Sequence, residues 1–287
     1  MTALDPRLNA FRPDLADIRL KDQVEAERFV AGNPFVVIAP TVGLYRHPRP
    51  DALLENELLY GERVKVFETT DEGWSWVQSE TDDYVGWIGH DALAPKSTEP
   101  THIVSVPRTI LFSGPDIKTK PMAILPLGAR IAASGEVEDH NARYGLIRPA
   151  GAIVMQHLIP IDEQLPDFVA IAESLAGTPY LWGGRSAFGI DCSGLIQLAL
   201  GLAGVSAPRD TDMQQAALGH ALDLRQSLPV LRRGDLLFWK GHAGIMRDGE
   251  TLLHANAHHM AVASERAIQT IARLEKAGLP VTAIKRL

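Results

Sequence analysis

The chain has 287 residues, 46% hydrophobic and 22% charged, which are ordinary proportions for a folded protein of about two domains. A net charge of −7 without any dense Lys/Arg stripe excludes nucleic-acid binding by bulk electrostatics. A single cysteine excludes an internal disulfide framework and agrees with a reducing compartment.

The N-terminal stretch Met1-Thr2-Ala3-Leu4-Asp5-Pro6 carries an acid and a proline where a signal peptide needs an apolar core. No run approaches the roughly 18 apolar residues of a membrane span. The expectation is a cytoplasmic protein with no membrane partner. Residues 1–33 read as a strap packed on a later domain. Leu20, Val24 and Phe29 suggest a short amphipathic helix there, with Arg19, Lys21, Asp22, Glu25, Glu27 and Arg28 on its solvated face.

From Phe35 the texture becomes short alternating runs. Residues 35–38, 64–67, 74–77 and 84–88 predict strands, with Gly, Asp and Pro between them. Leu58-Leu59-Tyr60-Gly61-Glu62, then Gly73-Trp74-Ser75-Trp76-Val77, then Gly86-Trp87-Ile88 resemble a bacterial SH3-like barrel. That barrel is expected over 34–95. A second copy is expected over 100–162. In it, Leu111-Phe112 parallels Leu44-Tyr45, residues 124–131 parallel 58–64, and Arg143-Tyr144-Gly145-Leu146-Ile147 stands where Trp76-Val77 stood. Residues 159–166, with two prolines, read as the linker into a last domain at 166–287.

That last domain opens with a helix over 167–176, ended by Pro179. Gly183, Gly184 and Gly189 suit a tight turn before Asp191-Cys192-Ser193-Gly194-Leu195, and the apolar run 195–203 extends a buried helix. Cys192 falls in its first turn, near a cap formed by Asp191 or Ser193. There the helix dipole favours thiolate over thiol. The plainer alternative is a small buried hydrophobe. A helix over 212–219 follows, then strands from Asp235 and at 242–246, 251–255, 260–264 and 281–285. A hairpin turning at 247–250 sets His242 and His254 side by side on one face. A thiolate nucleophile needs a base, and the base needs an orienting group. The class is α+β, helices first and then a curled sheet.

Asp191-Cys192-Ser193-Gly194-Leu195, then Gly234-Asp235-Leu236 and His242-Ala243-Gly244-Ile245, then His254-Ala255 resemble the NlpC-type cysteine peptidases of bacterial cell-wall metabolism. Thr178-Pro179-Tyr180-Leu181-Trp182-Gly183-Gly184 and Pro208-Arg209-Asp210-Thr211 extend the likeness. The resemblance implies a papain-like fold with the triad Cys192, His242 and His254. It also implies substrate contacts from Tyr180, Trp182, Asp191, Ser193, Arg209 and Thr211. With SH3-like barrels attached, it implies a γ-D-glutamyl-L-diamino-acid endopeptidase acting on murein tripeptide or tetrapeptide with a free N-terminal L-Ala, in cell-wall peptide recycling. Tyr84 and Glu57, with Glu55 as close an alternative, are the expected barrel contacts. No cofactor is implied.

Blander readings stand beside these. Tyr180 and Trp182 suit a core as well as a substrate wall. Tyr180 is also a candidate oxyanion donor beside the Cys192 N–H. Arg209 suits a salt bridge as well as a carboxylate clamp. Asp191 suits a helix cap as well as an ammonium acceptor, and Tyr84 suits barrel packing. Asp235 reads as a turn residue. His254, His258 and His259 cluster in sequence, but on strand and turn with no acidic or cysteine ligand nearby, so no metal is expected. The alternatives for function are a non-catalytic wall-peptide binding protein, or an amidase or acyltransferase using the same thiol.

Overall fold

A computed structural model of the chain describes residues 4–95, 98–140, 142–148, 150–225 and 228–287, which fall into two units, 1–163 and 164–287. In the first unit, alternation of apolar and polar residues builds a seven-stranded antiparallel sheet. Its spatial order is Leu54–Leu59, Thr41–Tyr45, Val85–Gly89, Trp74–Ser79, Arg63–Thr69, Asn33–Val37, Leu93–Pro95. Val37, Leu44, Leu58, Val64, Val77 and Ile88 point into one buried core. A second cluster joins Phe67, Trp76 and Trp87 of this sheet to Ala10 and Leu15 of the N-terminal strap. The Arg12 guanidinium lies over Trp76 and Trp87, 4.3 and 5.0 Å from the ring centroids, and pairs with Glu68 at 2.6 Å.

The strap holds no helix over 20–29. Ile18–Leu20 makes a single 3-10 turn, and Arg28–Val30 pairs in parallel with Leu15–Asp17. Apolar residues at 20, 24 and 29 leave the i+3 and i+7 positions of a helical stripe empty, so strand pairing wins.

A second sheet repeats the first in order: Pro121–Pro126, Arg108–Phe112, Ala152–Val154, Arg143–Ile147, Ala133–Glu138. It closes over its own core of Val104, Leu111, Leu125, Ile131, Ile147 and Ile153, with Leu111 and Leu125 on strands equivalent to those of Leu44 and Leu58. The two modules share a turn in which Gly61 and Gly128 take φ values of +77° and +86°, open to glycine at no steric cost. At Gly61 a Cβ would also collide with the Arg130 carbonyl, because Arg130 N–H donates to the Tyr60 carbonyl at 2.8 Å. Leu158–Pro160 pairs with His102–Val104, so the segment expected as a linker begins inside the second module.

The second unit places α1 (Phe168–Ser174), α2 (Cys192–Leu202) and α3 (Thr211–Ala217) ahead of a six-stranded antiparallel sheet. The sheet order is His220–Ala221, Ala283–Arg286, Leu236–Trp239, His242–Met246, Thr251–Asn256, Ala261–Arg266. A further helix, α4 (Ala267–Lys276), follows the edge strand, where no helix was expected. It presents Ala267, Ile271 and Leu274 to the core formed by Leu237, Trp239, Met246 and Leu252. The α2 helix, buried at every position but Gly201, packs on His242–Met246 and Thr251–Asn256. This packing carries Cys192 to the histidines.

Candidate active site

Cys192 is the first residue of α2. Asp191 caps the helix, its Oδ1 accepting from Gly194 N–H at 2.7 Å. Gly194 packs so closely on the Gly184 carbonyl that a Cβ would collide with it. The preceding segment runs along the free edge of Ala261–Arg266. Val262 N–H donates to the Thr178 carbonyl at 2.8 Å, and Tyr180 N–H to the Met260 carbonyl at 2.9 Å.

The histidines are set by strand register. Met246 opposes Leu252, so even-numbered residues of both strands share one face and His242 and His254 are diagonal neighbours on it. His242 Nε2 lies 2.8 Å from His254 Nδ1. The Trp239 ring lies against His242, its centroid 5.6 Å away. The Ala243 and Ser193 backbone N–H groups reach the thiol.

Burial favours the neutral forms of Cys192, His242 and His254. Burial pushes the Cys192 thiol up to about 12, with the neighbouring Asp191 charge adding to it and Ala243 N–H, Arg209 and Ser193 N–H opposing. This burial opposes the thiolate that the helix dipole favours. The dipole contributes at most about 2 kcal/mol, and with only 5% of Cys192 exposed, loss of hydration outweighs it. Burial likewise takes His242 down to about 3, helped by the His254 and Arg273 charges, and His254 down to about 4.

Two expected substrate contacts are engaged inside the domain instead. Arg209 is 1% exposed and forks onto Asp191 with contacts of 2.9 and 2.6 Å, and its Nη1 also donates to Ser193 Oγ at 2.8 Å. Arg209 is therefore a buried brace and not a carboxylate clamp. Asp191 also accepts from Gly183 N–H at 2.9 Å and from Ser193 Oγ at 3.2 Å, so within the domain it serves as helix cap and as counter-charge to Arg209. Ser193 is buried in the same network. Thr211 is the partly exposed first residue of α3. Trp182 is 63% exposed, which suits a wall and excludes a core role. Tyr180 is half-buried, and burial together with the Cys192 and Asp191 charges raises its hydroxyl, so it keeps its proton as a donor. Tyr84 is buried in the first barrel's core, and its hydroxyl donates to Glu55 at 3.5 Å. Glu57 is also buried. Asp235 is a turn residue: it accepts from Arg232 N–H at 2.8 Å and pairs with Arg286 at 2.7 Å.

One residue escaped the sequence reading. Glu265 stands against His254 Nε2 at 3.1 Å and His259 Nε2 at 3.0 Å, where no acid was expected. Among the described residues no group of three or more His, Cys, Asp and Glu side chains is placed to hold a metal ion. The signal for Glu265 was present: a hairpin pairing 251–256 with 261–266 sets it opposite Leu252, on the histidine face. The strand expected at 260–264 stops one residue short of it.

Residues 44–93 match the bacterial dipeptidyl-peptidase Sh3 domain, and residues 177–274 match the NlpC/P60 family. Dipeptidyl-peptidase 6 of Lysinibacillus sphaericus is 26% identical over 248 residues, covering 77% of this chain and 87% of that protein. The gamma-D-glutamyl-L-lysine dipeptidyl-peptidase of Bacillus subtilis is 28% identical over 234 residues, covering 71% and 73% respectively. The crystal structure of an NlpC/P60 family protein from Bacillus cereus shares the fold with a TM-score of 0.71 at 20% identity, over 88% of this chain and 99% of that one. A bacterial SH3 domain and an NlpC/P60 domain are thus joined in one α+β chain, and the chain is a cysteine peptidase.

Proposed function

We propose that the chain cleaves the γ-D-glutamyl-L-diamino-acid bond of murein peptides that carry a free N-terminal L-Ala, in cell-wall peptide recycling. The observation that carries this reading is the thiol at the start of α2 beside a hydrogen-bonded histidine pair. The names of the two relatives support the bond and the release of a dipeptide.

In the proposed reaction the Cys192 sulfur attacks the γ-glutamyl carbonyl. His242 Nε2 is engaged by His254, which leaves Nδ1 to take the thiol proton. Because thiol and imidazole rest neutral, this transfer accompanies attack. The oxyanion meets the Cys192 N–H, which no intrahelical carbonyl reaches, and the Tyr180 hydroxyl. His242 then returns the proton to the leaving amine, and water frees the acyl group from the sulfur.

The test is mass analysis after incubation with L-Ala-γ-D-Glu-meso-diaminopimelate and with its L-Lys counterpart. Release of L-Ala-γ-D-Glu and the free diamino acid is expected, with the N-acetylated peptide refused. Cys192→Ala and His242→Ala each lower kcat by about 10⁴-fold or more without unfolding the domain, whereas His254→Ala retains part of the activity. Cleavage by Cys192→Ala protein overturns the thiol mechanism. Equal rates on the acetylated peptide overturn the free-amine requirement. Product transferred to an added amine rather than to water marks an acyltransferase.

A further inference from the structure

We propose that Glu265 is a positioning residue of this site, fixing the tautomers of His254 and His242 so that the ring nitrogen left for the thiol is the basic one. The inference rests on the reading of Cys192 and His242 as nucleophile and base.

The register places it there. Leu252 opposes Glu265 and His254 opposes Ala263, so Glu265 shares the face of His242 and His254 and continues their diagonal onto a third strand. The groups facing Glu265 come from three elements, and all can donate. Oε1 receives His254 Nε2 at 3.1 Å and the Arg273 guanidinium at 2.7 Å, and His259 Nε2 lies 3.0 Å from it. Oε2 receives Thr270 Oγ1 at 3.0 Å and the same guanidinium at 2.8 Å. Thr270 and Arg273 are one helical turn apart on α4, so the helix holds the carboxylate in place. Burial opposes its charge, but Arg273, His254 and Thr270 together take its pKa down to about 2, so it is ionised at neutral pH.

An ionised carboxylate only accepts. His254 must therefore carry its proton on Nε2, which leaves Nδ1 as an acceptor. The 2.8 Å contact then requires His242 to donate from Nε2. His242 Nδ1 is left with a lone pair for the thiol proton. When that proton arrives, the imidazolium charge on His242 is stabilised through His254 by the Glu265 carboxylate. His254 orients the base only because something orients His254.

The wild-type protein labelled with ¹⁵N-histidine offers a direct reading at pH 7. Both His242 and His254 are expected as Nε2–H tautomers, and an Nδ1–H tautomer at either ring overturns the proposal whether or not any peptide is cleaved. Glu265→Gln is expected to lower kcat by about 10- to 100-fold on L-Ala-γ-D-Glu-meso-diaminopimelate with KM little changed, in line with outer partners of catalytic histidines. Its acid limb should move to lower pH, because the carboxylate raises both histidines. Arg273→Met should move that limb the other way, because the guanidinium lowers them. A structural role alone gives no opposed shifts. An unchanged kcat and limb in folded Glu265→Gln protein sinks the assignment. Failure of the thiol mechanism itself is read separately, from Cys192→Ala.

Discussion

Two carboxylate–guanidinium pairs flank the site, and their burial gives them different work. At the thiol end, the Asp191 and Arg209 side chains are 9% and 1% exposed. At the histidine end, those of Glu265 and Arg273 are 15% and 32% exposed. The first pair is sealed among the glycine-loop and Ser193 contacts and braces the start of α2. The second keeps a charge within reach of groups that exchange protons. The same chemistry serves as scaffold where it is sealed and as an electrostatic partner where it meets titrating rings.

Breaking the sealed pair gives the largest change in stability. Arg209→Ala strands the Asp191 charge and is expected to cost about 3–5 kcal/mol in urea unfolding of the peptidase unit. Arg273→Ala, at a partly open pair, costs no more than about 1 kcal/mol. Equal costs would erase the distinction.

Acid sharpens the comparison at the histidine end. His242 and His254 are neutral in the fold down to about pH 3 and 4, against an unfolded value of 6.5. Between those values the unfolded chain binds the extra protons, so stability is full above pH 6.5 and falls as pH drops toward 3. Glu265, held at about 2 against 4.5, adds a loss in the same direction below pH 4.5. A scan of Tm against pH should show this slope, and His242→Ala should flatten it. A wild-type Tm that is flat from pH 6.5 to 4 contradicts neutral burial.

The smallest effect is chemical. With its thiol pushed up to about 12, Cys192 in the resting protein should react with iodoacetamide more slowly than a free thiol at pH 6–8, with a rate that climbs into the alkaline range. Fast labelling at pH 6 would reveal a resting thiolate.

Much of this was legible because period-2 and period-3.6 patterns are local. The alternation in 242–246 and 251–255 was enough to set His242 beside His254, and the apolar run after Cys192 was enough for α2. The α4 helix was also written there, since Ala267, Thr270, Ile271 and Leu274 follow helical spacing. Its exposed opposite face, with Gln269, Glu275 and Lys276, makes the segment read as loop. The engagement of Asp191 by Arg209 was not legible, because it joins residues 18 apart through burial that no local pattern encodes. Nor was the thiol's protonation state, which depends on how dry the start of α2 becomes. The strap failed as a helix because Arg28–Val30 pairs with Leu15–Asp17, a partner no helical period within 20–29 encodes.

Gly61 carries a consequence for how the N-terminal unit comes apart. Both modules keep a left-handed glycine in the same turn, but at Gly61 the missing side chain also admits the Arg130 backbone of the neighbouring copy. One position thus serves as a bend within one module and a weld to the next. A methyl group there strains the bend and pushes Arg130 away. Gly61→Ala is therefore expected to loosen the coupling between the two modules as well as the bend itself, so that thermal unfolding of the N-terminal unit spreads over a broader range than in the wild-type protein.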